Sequence, residues 1–181
     1  IDVLEKAGIL SSNSETLKDR YSERIMFPLK DSDGHAVGFS GRKYLPDDPS
    51  TSKYINSPET DLFKKSTLLY NFDNAIQTAK RVGYIYVTEG FMDVIALYRA
   101  GINSAIALMG TNVSATHLQM LKKLNVEVRL SLDSDGPGQN ATKKWLTAFT
   151  SSGIKFKITR PFKLEKDGKD ADEVLDKYGS E

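Results

Sequence analysis

Cysteine is absent from this sequence of 181 residues, which excludes a disulfide framework, a thiolate zinc site and a thiol nucleophile. Histidine is nearly as scarce, and two residues cannot build a histidine-rich metal centre. Any metal would be held mainly by oxygen, and hard oxygen ligands suit Mg²⁺, Mn²⁺ or Ca²⁺ better than zinc or copper. No apolar run is long enough to span a membrane and no signal peptide is legible. The expectation is therefore a soluble, cytoplasmic protein with no membrane partner. Net charge is almost absent too, at +1, so binding of nucleic acid would have to rest on a local patch. What is present is 39% hydrophobic residues, enough to build a core in one generous domain or two small ones. The chain opens on Ile1 rather than Met and reads as a piece of a longer protein.

From Arg24 to Gly41, two alternating segments flank Asp31-Ser32-Asp33-Gly34, the pattern of a β-hairpin whose Asp-Gly supplies positive φ. Tyr44 to Thr60 is rich in Pro, Asp, Ser and Asn without apolar period, and is expected to be an exposed loop. A short helix is expected over Leu68–Ala79, with a domain boundary at 80/81. Beyond it, strands at Tyr84–Thr88, Ala105–Met109, Val126–Leu132 and Lys155–Thr159 alternate with helices at Met92–Ala100, Ser114–Leu124 and Ala141–Ser152. Such alternation implies a parallel sheet. The expected fold is α/β: a mainly parallel sheet flanked by helices over 81–181, preceded by a smaller α+β subdomain over 1–80 that contains the hairpin. Chemistry is then expected just past the carboxyl ends of the strands.

The first of these strands ends in Thr88-Glu89-Gly90, and Asp93 falls in the first turn of the following helix. Glu89 is a candidate ligand or a turn residue; Asp93 is a ligand or a complement to the helix dipole. The third strand runs into Asp133-Ser134-Asp135-Gly136-Pro137-Gly138, where Asp-x-Asp sets two carboxylates on one side of an extended chain. Their repulsion is relieved by a cation, and the glycines leave room for phosphate oxygens. An EF-hand is excluded by Pro137 and Lys144 at the fifth and twelfth positions. Asp170-Ala171-Asp172-Glu173 after the last strand either starts a helix or joins Glu89, Asp133 and Asp135 around one or two metals. His117 is expected on a helix surface, and Trp145, Leu146 and Phe149 in the core.

Together these features resemble the TOPRIM module. Upstream, Arg24-Ile25-Met26-Phe27-Pro28-Leu29, Gly38-Phe39-Ser40-Gly41-Arg42 and Lys53-Tyr54-Ile55-Asn56-Ser57-Pro58-Glu59-Thr60 resemble successive motifs of the bacterial replicative DNA primases. Phe63-Lys64-Lys65, Glu89-Gly90-Phe91-Met92-Asp93, Gly110-Thr111 and Asp170-Ala171-Asp172-Glu173 continue the resemblance in the same order. Ser134, Pro137, Gln139 and Ala171 depart from the usual spacers.

The resemblance implies the RNA polymerase core of a primase: part of its amino-terminal subdomain, then TOPRIM. It implies a catalytic set of Glu89, Asp133 and Asp135 within a metal site of Glu89, Asp93, Asp133, Asp135, Asp170 and Asp172. That site would hold Mg²⁺ or Mn²⁺, more than one ion, with no zinc in this fragment. Arg42, Lys53, Asn56 and Lys65 match positions associated with template or nucleotide. The implied partners are a single-stranded DNA template, ribonucleoside triphosphates, an RNA–DNA hybrid and, through a domain absent here, the replicative helicase. Two rivals are a TOPRIM nuclease or topoisomerase acting on phosphodiesters, and a non-catalytic nucleic-acid-binding module.

Overall fold

The computed structural model describes residues 2–13, 16–45, 52–110, 112–133, 136–159, 168 and 170–179. They fall into two compact units, 1–65 and 66–181.

Unit 1 begins with α1 (Asp2–Lys6) and an antiparallel pair, β1 (Leu10–Asn13) and β2 (Thr16–Asp19), which the weak apolar signal of the first twenty residues did not disclose. The expected hairpin follows as β3 (Arg24–Lys30) and β4 (Ala36–Lys43). The expected exposed loop is corrected in part: Tyr54–Asn56 form β5, paired antiparallel with β4 to give the order β3-β4-β5. A strand of three residues is too short to carry a period, so its existence depends on its neighbour. Ser57 locks it there, its amide donating to the Phe39 carbonyl at 2.8 Å while the Phe39 amide donates to Ser57 Oγ at 2.9 Å. The Tyr21 hydroxyl lies 2.8 Å from the same Oγ.

Unit 2 holds α2 (Phe72–Val82), β6 (Tyr84–Thr88), α3 (Phe91–Arg99), β7 (Ala105–Ala107), α4 (Ala115–Leu124), β8 (Glu127–Leu130), α5 (Gly136–Ser152), β9 (Phe156–Ile158) and α6 (Ala171–Tyr178). The four strands are all parallel, in the order β7-β6-β8-β9. Helix α2 starts later than expected because Tyr70 is still extended, exchanging backbone hydrogen bonds with Ala107 at 2.9 and 3.2 Å. Asn71 then turns through a left-handed conformation (φ 65°) into the helix. Phe72, Ala75 and Ala79 of α2 pack in one core with Ile85, Val87, Ile106, Val128 and Leu130 of the strands. That packing draws α2 into the sheet unit, and the compact division falls at 65/66.

Two further expectations are corrected. His117 is 1% exposed, not a surface residue. It occupies the third position of α4 and closes a capping box, its amide donating to Ser114 Oγ at 3.0 Å and its Nδ1 accepting from the Ser114 amide at 3.4 Å. Its ring stacks on Trp145, which with Phe149 is fully buried as expected. Helix α5 begins at Gly136, five residues before the expected Ala141, so Gly136 and Gly138 belong to a helix. Among the described residues no helix is long and apolar enough to cross a membrane.

Candidate metal centre and basic strand pair

Glu89 and Asp133 emerge at the carboxyl edge of neighbouring strands. Strands β6 and β8 are parallel with Val87 opposite Leu130, and the Ser131 amide continues the ladder to the Val87 carbonyl at 2.9 Å. Glu89 lies two residues beyond Val87 and Asp133 three beyond Leu130, so both leave the sheet at the same end. Thr88 fixes the corner beneath Glu89, its hydroxyl donating to the carbonyls of Gly90 at 3.1 Å and Ile106 at 3.2 Å.

Asp93 is 6% exposed on α3. Its Oδ2 accepts from the Gly90 amide and its Oδ1 from the Asp172 amide, each at 3.3 Å. The helix-start role and the cluster role therefore coexist. Asp93 completes the half of a capping box that a glycine N-cap leaves to it, and it also ties α3 to the acidic start of α6. Burial, then the charge of Asp170, push its carboxyl up to about 6; the amides of Asp172 and Gly90 oppose this, and the Asp172 charge adds to it. Asp170 caps α6, its Oδ1 accepting from the Glu173 amide at 2.9 Å, and Asp172 sits in the first turn. The structure thus brings Asp93, Asp170 and Asp172 together. Asp135, like Thr111, lies outside the described residues.

This donor set fits a divalent cation. It is all oxygen and anionic; burial is the first cause of the raised Asp93 carboxyl, and the second, repulsion from Asp170, is an interaction that a dication removes. No three of these acids close to chelating distance among the described residues. Asp31, Asp33 and His35 of the β3–β4 turn do, with ligand atoms within 4.8 Å.

The basic candidates belong to unit 1. Arg42 stands directly across from Tyr54 and Ser40 across from Asn56, so one face of the β4–β5 pair carries all four. Tyr54 has the Arg42 guanidinium 5.6 Å and the Lys53 ammonium 5.7 Å from its ring centre. Asn56 turns its Oδ1 inward, where it is buried without a partner among the described residues. Lys65 lies on a 3₁₀ turn, Lys65–Thr67, with its amide donating to Glu59 Oε1 at 3.0 Å. Sequence reasoning missed Tyr54 and Ser57 as organisers. An aromatic embedded between Lys53 and Asn56 was the available signal for the first; the second shows only through its long-range hydrogen bonds.

Unit 1 thus sets Arg42 and Lys53 around the Tyr54 ring, and unit 2 has a parallel sheet with acids at its carboxyl edge. Residues 1–76 match the family described as the DNA primase catalytic core, N-terminal domain, and residues 86–175 the Toprim-like family. The chain belongs to the bacterial DNA primase family. It is 41% identical to the DNA primase of Staphylococcus aureus (strain MW2) over 184 residues, covering 100% of this chain and 29% of that protein. A DnaG primase catalytic domain bound to single-stranded DNA superposes with a TM-score of 0.85 at 36% identity, over 99% of this chain and 55% of that one. The E. coli primase catalytic core gives 0.84 at 37% identity, over 98% and 56%. The chain thus spans less than a third of the curated relatives and about half of the solved cores. The family matches leave the junction of the two domains between residues 76 and 86, whereas packing divides the chain at 65/66.

Proposed function

We propose that this chain carries the metal centre and part of the template- and nucleotide-binding surface of a cytoplasmic replication enzyme. That enzyme makes RNA primers on single-stranded DNA from ribonucleoside triphosphates. The observation that carries the reading is the convergence of Asp93, Asp170 and Asp172, where a buried carboxyl is raised to about 6 by burial and by neighbouring acids. The primase relatives support the choice of reaction, and the neighbour solved with single-stranded DNA supports the choice of template.

Bound Mg²⁺ or Mn²⁺, in more than one copy, would supply charge neutralisation on the transferring phosphate and acidify the attacking hydroxyl. Glu89, Asp133 and Asp135 would hold the ions as the catalytic set, with Asp93, Asp170 and Asp172 completing the site. In the reaction the primer 3′-oxygen bonds to the α-phosphorus of the incoming triphosphate, the α–β bridge breaks, and pyrophosphate leaves. The protein's part is positioning and electrostatics. Arg42, Lys53 and Lys65 offer cations to phosphates of the template or triphosphate, and Asn56 an amide. The RNA–DNA hybrid is then the product held, and the replicative helicase is contacted through a domain outside this sequence.

The test is primer synthesis on single-stranded DNA by the full-length protein carrying Glu89→Gln or Asp133→Asn. Synthesis should be lost in both while circular dichroism reports the native fold; full activity in either folded variant overturns the proposal. Labelled DNA without nucleotides is the companion assay, and metal-dependent cleavage there would assign the centre to phosphodiester hydrolysis instead.

A further inference from the structure

Asp133 hangs between two rigid elements. Strand β8 is held on both sides almost to its end, by the Ser131 amide on the Val87 carbonyl and the Thr159 amide on the Leu130 carbonyl, both at 2.9 Å. Helix α5 is held by Trp145 and Phe149, each at 0% exposure. The two elements meet at Gly138. A methyl group built there would lie 2.2 Å from the Asp133 carbonyl oxygen, 2.7 Å from its carbonyl carbon and 2.9 Å from its Cβ. These are main-chain atoms and the root of a side chain, and none can swing aside. The φ of Gly138 is not positive, so its backbone conformation is open to any residue and the demand is steric alone. The Thr142 hydroxyl, donating to the Gly138 carbonyl at 2.9 Å, ties the glycine into the helix. Gly136, two residues earlier on the same helix, is exposed, and a methyl group there meets nothing within 4 Å.

We propose that Gly138 is a positioning residue for Asp133: the absence of a side chain lets the first turn of α5 seat directly on the strand-end peptide and so fixes the direction of the Asp133 carboxylate. The proposal rests on Asp133 being a metal ligand. Restoring ordinary contact around a methyl group requires a displacement on the order of 1 Å, and displacements of that size at a preorganised site carry large functional costs. The glycine is thus not merely space for phosphate oxygens; its room is already filled by the backbone that carries the ligand.

Mn²⁺ titration calorimetry on this chain tests the assignment with four proteins: unmodified, Gly136→Ala, Gly138→Ala and Asp133→Asn. Gly138→Ala should weaken Mn²⁺ binding roughly 10- to 100-fold, the range seen when groups that orient metal ligands are changed. Gly136→Ala should bind as the unmodified chain does. Circular dichroism and thermal melts establish that each variant is folded at the titration temperature. If Gly138→Ala is not folded, all four are titrated in trimethylamine N-oxide, which favours the compact state. Unchanged Mn²⁺ affinity in folded Gly138→Ala overturns the positioning role, as does an equal loss in Gly136→Ala. Unchanged affinity in Asp133→Asn instead removes the metal-ligand reading on which the role depends.

Discussion

The tetrapeptide Asp-Ser-Asp-Gly occurs twice, and the two copies do different work because they sit in different backbones. In the first, Asp31 folds back on its own turn, Oδ1 accepting from the amides of Asp33 at 3.0 Å and His35 at 2.9 Å, and Gly34 takes a positive φ of 88°. All of that chemistry is local and holds β3 to β4. In the second, Asp133 leaves the carboxyl end of a buried parallel strand, Gly136 opens a helix, and Gly138 closes against the Asp133 backbone. A carboxylate is spent on its own turn in one place and carried to a shared edge in the other. The tetrapeptide therefore carries no function by itself; the element that delivers it does.

The largest test of this contrast exchanges the same atom in each copy. Asp133→Asn in the full-length protein should lower the proposed primer synthesis at least about 100-fold, the upper end of what altering metal-site support costs. Asp31→Asn should leave synthesis within about twofold, although Asp31, Asp33 and His35 form the tightest potential chelate among the described residues. Comparable losses in a gel-based primer assay would erase the distinction between the copies.

The second test uses pH, because the hairpin and the acidic edge perturb carboxyls in opposite directions. The Asp31 carboxyl is held below its ordinary value, chiefly by the His35 amide, so its contribution is present above 3.8 and is lost as pH falls through a lower value. Asp93 runs the other way. Its folded form keeps the proton up to about 6 against 3.8 unfolded, so the folded state binds more protons and stability declines as pH rises between those values. The span corresponds to about 3 kcal/mol. Denaturant melts without divalent metal should show this decline from pH 4 to 6, and Asp93→Asn should remove it. Mn²⁺ should raise the melting temperature more at pH 7.5 than at pH 5, because it binds the ionised form.

How much of this was legible in the sequence follows from the range of each interaction. The parallel sheet was legible because short strand patterns such as Tyr84–Thr88, Ala105–Met109 and Val126–Leu132 alternate with helical ones along the chain. Strand β5 was not, because Tyr54–Asn56 are strand only through β4 and Ser57. Likewise His117 looked polar and therefore exposed, while its place is set by a reciprocal cap with Ser114 and by Trp145 from another helix. At the acidic edge, the candidates Glu89, Asp93, Asp133, Asp170 and Asp172 could be named from strand ends. That Asp93 touches the start of α6, seventy-nine residues away, could not. Periodicity speaks for one element at a time, and the site is made where elements meet.

The smallest effects separate the glycines that end the two motifs, and they should differ in sign. Gly34 sits at φ 88°, a conformation that costs an L-residue about 1–2 kcal/mol, so Gly34→Ala should destabilise unit 1 by that order. Gly136 is helical, exposed and clear of neighbours within 4 Å, so Gly136→Ala should stabilise by about 0.5 kcal/mol through the lost freedom of the unfolded chain. Chemical denaturation with separate probes for the two units measures both. A destabilising Gly136→Ala would mean that the start of α5 is as tightly constrained at its first residue as at Gly138. The close approach to Asp133 would then be a property of the whole turn rather than of one glycine.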